Sequence, residues 1–169
     1  MSRNKAKSTK VVLIAIMGRN RVIGDGTTQP WHFRCDLRRF QALTRGHPLI
    51  LGRRTFAAIG KPLPERTHIV LTHNPKDRPP GVLTAATIDN ALQLAAAAPG
   101  GDEIFVIGGG TVYEQLLPYA DRIELTIVDD APAGTVHFPI LDETQWQEES
   151  SESAAEAGYA LRFVRLRRR

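Results

Sequence analysis

The sequence predicts an α/β protein, a single domain on a mainly parallel central sheet with a C-terminal antiparallel strand and flanking helices. Short apolar runs recur at 11–17, 48–51, 68–72 and 103–107, and 122–128 adds a strand that alternates at Ile123, Leu125 and Ile127. Runs without polar alternation suit strands covered on both faces, as parallel strands between helices are. Helical stretches alternate with these runs along the chain. At 169 residues, with 42% hydrophobic and 24% charged, the chain can bury one core of its own. Its expected organisation is a basic, disordered tail at 1–10, the domain at 11–166 and a basic end at 167–169.

Each element has a local reason. Residues 11–17 form the first buried strand, and residues 18–32 a long connection holding Gly24, Gly26 and Pro30. A connection of that length without structure of its own suggests a mobile flap over a site. An amphipathic helix follows, with Phe33, Leu37, Phe40, Leu43 and Thr44 on an arc of about 120° and Arg34, Arg38, Arg39 and Gln41 opposite. It ends near Arg45, with Gly46 as its cap. After the strand at 48–51, Gly52, Arg53, Arg54 and Thr55 open a short helix carrying Phe56 and Ile59. Gly60, Pro62 and Pro64 then make a rigid turn. Following the strand at 68–72 come a Pro-rich turn, a short strand at 81–85 and an Ala-rich helix capped by Thr87 or Asp89 and stopped at Pro99. The strand at 103–107 leads through Gly108, Gly109 and Gly110 into a helix at 111–117. Residues 122–128 form another strand, and residues 159–166 the last, hairpinned with residues around 145–150.

The net charge of +4 does not indicate a nucleic-acid partner. Arg3, Lys5, Lys7 and Lys10 fall in the first ten residues, leaving 18 of the 22 basic residues to face 18 acidic ones. Arg165 and Arg167 to Arg169 cluster at the other end, and both ends read as solvated tails. The one cysteine, Cys35, excludes an internal disulfide and suits a reducing cytoplasm. The longest apolar stretch has seven residues, far short of the ~20 of a membrane span, and no signal peptide is read.

Three places carry chemistry. Asp36 breaks the helix pattern, since it falls inside the apolar arc one turn before Phe40. A carboxylate there is either a satisfied buried group or a functional one. The two strand-to-helix junctions, at Gly52 and at the glycine triplet, present free N–H groups and the positive end of a helix dipole. Two arginines at the first can fork onto a phosphomonoester. Neither junction matches the standard nucleotide fingerprints, and both are open to a purely structural reading. Together they suit a ligand with two anionic centres, such as a dinucleotide. The five histidines show no ligand spacing, so no metal is expected. A site with one carboxylate and neither metal nor nucleophile suits hydride chemistry borrowed from a cofactor.

An ordered set of motifs makes the resemblance specific. It runs through RVIG at 21–24, Pro30 and Trp31, Asp36 and Leu37 with Phe40, GRRTF at 52–56, and IGKPLP at 59–64 with Arg66. It continues through VIGGG at 106–110, YEQ at 113–115, Thr126 and HFP at 137–139. In these the chain resembles a bacterial-type dihydrofolate reductase from about residue 11 to 166. The resemblance implies NADPH-dependent reduction of dihydrofolate for one-carbon metabolism, by a cytoplasmic monomer that also binds antifolate inhibitors, with no nucleic-acid or membrane partner.

The roles it implies attach residue by residue. Asp36 hydrogen-bonds the 2-amino group and N3 side of the pterin and assists protonation at N5. Thr126 joins that network, and Trp31 orders a water near it. Leu37, Phe40, Ile59 and Leu63 wall the pterin and aminobenzoyl rings, and Arg66 clamps the glutamate α-carboxylate. Ile14, Ile16, Ile107 and Tyr113 line the region where pterin and nicotinamide meet, with Ala15 and Ile16 at the nicotinamide amide. Arg53, Arg54, Thr55, Leu71, Thr72 and His73 match contacts to the adenosine and 2′-phosphate. Gly108, Gly109, Gly110, Thr111 and Val112 receive the pyrophosphate, and Ile23, Gly24, Gln29, Gly52 and Gln115 complete the cofactor set. Several positions depart from the family pattern. Gln29 replaces an apolar residue before Pro30, Ile16 a smaller one, and Thr111 a longer polar one; Thr135 stands where many bacterial members bond the flap with an Asp. Ile16 and Gln29 imply weaker binding of antifolates such as trimethoprim. A pyrimidinone-type reductase and a non-catalytic dinucleotide module share parts of the pattern, but Asp36 and Arg66 favour folate.

Overall fold

Strand pairing explains most of the architecture. The computed structural model describes residues 9–25 and 29–169. In chain order the elements are β1 (Lys10–Gly18), β2 (Val22–Gly24), α1 (Arg34–Thr44), β3 (Leu49–Gly52), α2 (Arg53–Ile59), β4 (His68–Leu71) and β5 (Leu83–Ala85). Then follow α3 (Ile88–Ala97), β6 (Glu103–Gly108), α4 (Gly110–Leu116) with a 3-10 turn at Leu117–Tyr119, β7 (Arg122–Val128), β8 (Val136–His137), β9 (Trp146–Glu156) and β10 (Tyr159–Arg168). Eight strands form one sheet in the order β5-β4-β3-β6-β1-β7-β10-β9, and β2 pairs with β8 separately. The first six strands of that order are parallel. β10 runs antiparallel to both β7 and β9, so it is the one reversed strand of the sheet.

The apolar runs are the core, as their lack of alternation requires. Val11, Val12, Leu13, Leu49, Ile50, Leu51, Ile69, Val70, Ile104, Phe105 and Val106 are each at most 1% exposed. Thr87 caps α3 by accepting from the Asn90 N–H at 3.1 Å. No helix among the described residues is long and apolar enough to cross a membrane.

Several expectations are corrected. The basic start lies outside the described residues apart from Thr9 and Lys10, and those two belong to the domain: Thr9 is buried and Lys10 opens β1. Gly26 of the flap also lies outside them. The connection at 18–32 does contain structure, namely β2. The cap of α1 is Arg45, with Gly46 one residue beyond at φ +83°. β9 runs far past Ser150, because pairing with β10 makes a strand from a Ser- and Glu-rich, exposed sequence without apolar alternation. Such polarity suits an edge strand. Nor is the C-terminus a solvated tail. Arg167 and Arg168 lie in β10, where Arg168 stacks 4.4 Å from the Trp146 ring and donates to the Ala120 and Leu117 carbonyls, both at 2.8 Å.

Candidate active site

Parallel strands deliver their C-terminal ends to one edge of the sheet, where crevices form. Here the ends of β1, β3, β4 and β6, with α1, α2 and α4, enclose a cleft of about 1350 Å³. Every residue the sequence nominated lines this cleft except Thr126 and Arg66, which are buried behind its wall.

Asp36 sits in the first turn of α1, half-buried, where the helix dipole favours a carboxylate. Thr126, buried on β7, donates its hydroxyl to Asp36 Oδ1 at 2.5 Å. Burial pushes the Asp36 carboxyl above its ordinary range; the Thr126 hydrogen bond and the Arg39 charge oppose this, and Glu156 adds to it. Asp36 is not consumed by capping its own helix. The cap residue, Phe33, has no capping side chain. Glu156 at the end of β9 takes the first-turn donors instead, accepting from the N–H of Arg34 at 2.6 Å and of Cys35 at 3.1 Å.

Tyr113 donates its hydroxyl to the Ile14 carbonyl at 2.6 Å, and burial raises its pKa so that it stays neutral. Its ring lies against Gly108, which has φ +115°. A Cβ on Gly108 would stand 3.1 Å from that ring, so conformation and space both require glycine.

At the far end of the cleft, Phe40 and Leu63 are half-buried and Leu37 is 57% exposed. Leu37 therefore faces the cleft mouth and not the core that its apolar arc suggested. Arg66 is held by the Pro64 carbonyl at 2.9 Å and the Thr44 hydroxyl at 3.0 Å. Its Nη2 is buried without a hydrogen-bond partner, a cation edge prepared for an anion.

The two junctions open α2 and α4. Their caps, Gly52 and Gly109, supply no side-chain hydrogen bond to the first turns, and both junctions line the cleft. A Cβ on Gly110 would come within 2.7 Å of Val136, so the backbone there is close-packed on β8. Arg53 donates from Nε to Asp77 at 2.7 Å, and Thr72 reaches the same oxygen at 3.4 Å. Arg54 and His73 are exposed at the rim.

The flap is stitched to the segment after β7. The N–H of Arg19 donates to the Asp130 carbonyl at 2.8 Å, Asn20 to the Pro132 carbonyl at 2.8 Å, and Arg21 to the Phe138 carbonyl. Thr135, in the place of the usual Asp, reaches the Asp25 carbonyl only at 3.4 Å. Trp31 donates its indole N–H to Asp130 Oδ2 at 2.9 Å. Trp31 thus contributes its buried ring to the cleft wall and its N–H to the tie between the flap and the segment after β7.

Sequence reading missed Phe33, Gln41, Ala58, Thr87, Ile88 and Val136, all of which line the cleft, and it placed Arg39 only on the helix side opposite the apolar arc. Arg39 also lines the cleft, and its side chain, 19% exposed, turns in to Glu124. Thr87 and Ile88 form a third strand-to-helix junction, a signal of the same kind as the two that were read.

The family whose model matches, over residues 10–168, is described as dihydrofolate reductase. The chain is 42% identical over 161 residues to the dihydrofolate reductase type 3 of Salmonella typhimurium, covering 94% of this chain and 98% of that one. It is 40% identical over 142 residues to the dihydrofolate reductase of Bacillus subtilis, covering 84% and 83%. Among solved structures it is similar to the Enterococcus faecalis dihydrofolate reductase complexed with NADP(H) and RAB-propyl, with a TM-score of 0.87, 31% identity and coverage of 94% and 96%.

Proposed function

The chain belongs to the dihydrofolate reductase family, and from that premise we propose how its residues divide the work of reducing 7,8-dihydrofolate to 5,6,7,8-tetrahydrofolate. The observation that carries the reading is the Asp36–Thr126 pair, a carboxylate held from behind while it faces an apolar cleft. Asp36 binds the 2-amino group and N3 side of the pterin and assists protonation at N5, in surroundings whose burial raises its pKa. Thr126 fixes the carboxylate oxygen that is turned from the ligand. Leu37, Phe40, Ile59 and Leu63 exclude water around the rings, and the free Nη2 edge of Arg66 meets the glutamate α-carboxylate.

The cofactor fits the residues present. Two uncapped helix starts and the side-chain-free backbone of the glycines at 108–110 suit a pyrophosphate, and Arg53, Arg54, Thr72 and His73 suit a 2′-phosphate. When bound, NADPH supplies the hydride that reaches C6 of the pterin. Ala15, Ile16 and Tyr113 orient the nicotinamide end, and the stitched flap covers it. The same reading takes the enzyme to be a cytoplasmic monomer whose partners are dihydrofolate and antifolates.

Consumption of NADPH, followed by its absorbance, tests the reading when dihydrofolate is added; absence of turnover overturns it. Asp36→Asn should cripple turnover at neutral pH and recover in acid, where N5 is already protonated. Ile16 narrows the pterin pocket and Gln29 stands exposed at the flap, so trimethoprim should inhibit more weakly than it does a sensitive bacterial enzyme. An inhibition constant equal to that of the sensitive enzyme removes this part of the proposal.

A further inference from the structure

Arg39 and Glu124 have no part in the roles above, yet they form a second bridge beside the one that holds Asp36. Asp36 and Arg39 are three residues apart on α1 and share a face of the helix. Thr126 and Glu124 are two apart on β7 and share a face of the strand. Thr126 joins Asp36 and Glu124 Oε2 joins Arg39 Nη2, so two parallel rungs connect helix to sheet. We propose that the Arg39–Glu124 rung sets where the Asp36 carboxylate sits and which charge faces it, making Arg39 a positioning residue for the reaction. The proposal rests on the reading of Asp36 given above.

The rung is built from several directions. Glu124 is fully buried, and its other oxygen accepts from Arg122 Nε at 3.0 Å and Arg165 Nε at 2.5 Å. In the register of β10 on β7, Arg165 stands opposite Glu124 and Phe163 opposite Thr126. The Arg39 guanidinium lies 5.0 Å from the centre of the Phe163 ring, so a carboxylate fixes one edge and an aromatic face lies against its plane. On the other side of β7, Ile14 and Ile16 of β1 stand opposite Glu124 and Thr126. The cleft floor and the helix anchor are therefore one patch of sheet.

The charges around Asp36 give the rung an electrostatic role as well. Acting on it are Arg39 from its own helix, Thr126 from β7 and Glu156 from β9. Asp36 in turn acts on Cys35 beside it and on Tyr113 of α4, whose hydroxyl is committed to Ile14. Arg39 is the cation in this set. Glu124 divides its charge among three arginines, so it orients Arg39 without cancelling it. The positive charge left over favours the Asp36 anion against burial and against Glu156.

Three proteins test this: the parent, Arg39→Met and Arg39→Lys. Met keeps apolar length against Phe163, and Glu124 retains Arg122 and Arg165. The Asp36 carboxylate is titrated by carbon-13 NMR in the ligand-free protein, and kcat and KM are measured against pH. In Arg39→Met the Asp36 midpoint should move upward and kcat should fall about tenfold, with the NADPH Kd unchanged. Arg39→Lys should return the midpoint toward the parent's, because the charge is restored, and recover only part of kcat, because the fork is not. A lowered Tm with midpoint and kcat both at parental values would show a merely structural pair and overturn the proposal. So would a lysine variant titrating like the methionine one. Should Arg39→Met not fold, Arg39→Gln, which keeps a donor for Glu124, carries the same test. Parental turnover of dihydrofolate tests the underlying reading, and the ligand-free titration tests the rung, so the two can fail separately.

Discussion

Asp36 and Arg66 show the same economy: each is held on one side by the protein, and each keeps polar capacity in reserve, Asp36 on the cleft wall and Arg66 just behind it. Thr126 occupies one oxygen of Asp36, and the Arg34 and Cys35 donors that would compete for the carboxylate go to Glu156. Arg66 spends Nε and Nη1 on Pro64 and Thr44 and keeps Nη2. A buried donor without a partner costs about 1–3 kcal/mol, which an incoming carboxylate recovers. Arg66→Leu should therefore raise the dihydrofolate KM by roughly tenfold to a hundredfold with kcat little changed, in steady-state assays. An unchanged KM removes Arg66 from its role. The sequence exposed Asp36 because a carboxylate in an apolar arc is visible locally. It hid Arg39, because an arginine on the polar side of a helix looks the same whether it meets water or a buried glutamate.

The flap and the segment after β7 act as one unit through contacts about a hundred residues apart in sequence. The Arg19 N–H donating to Asp130, the Arg21 carbonyl accepting from the Phe138 N–H, the β2–β8 pair and the Trp31–Asp130 hydrogen bond hold them together. Thr135, where a carboxylate is usual, contributes only a long contact, so more of the closure falls on Asp130. Asp130→Ala should loosen the flap, weakening NADPH binding about tenfold, as read by fluorescence, while the Tm changes little. Unaltered NADPH affinity would show that the latch is dispensable. The element boundaries were legible wherever periodicity or glycine marked them. β2 and the outer half of β9 were not, since each is a strand only by virtue of its partner.

For the molecule as a whole, His68 ties acid stability to the substrate end of the site. Its Nε2 accepts the Leu63 N–H at 3.0 Å and its Nδ1 lies 3.0 Å from the Arg66 carbonyl, so the buried ring is neutral. Burial pulls its pKa below the ordinary histidine value. In the unfolded chain the ring takes up a proton near pH 6.5, and in the folded one only at lower pH. Its contribution to stability is thus complete above about pH 6.5 and is lost as pH falls through the folded value. The urea midpoint should decline between pH 7 and pH 5, and His68→Gln should flatten that decline. An equal decline in both proteins would assign the acid sensitivity to other groups.

What the amino-acid order settles here is what short-range physics controls. Apolar runs make buried parallel strands, glycines and prolines place the turns, and Asp36, the arginine pair, the glycine triplet and Arg66 stand in motif order from one end to the other. That was enough for the α/β class, the family and the reaction. Folding in three dimensions assigned the partners. Formal charge gives no hint that Glu124 is buried among Arg39, Arg122 and Arg165, that Glu156 caps a helix 122 residues before it, or that Arg168 stacks on Trp146. Periodicity is a property of neighbours in sequence and can be read from them, whereas an ion pair or a tertiary cap depends on which distant positions the sheet register brings within 3 Å.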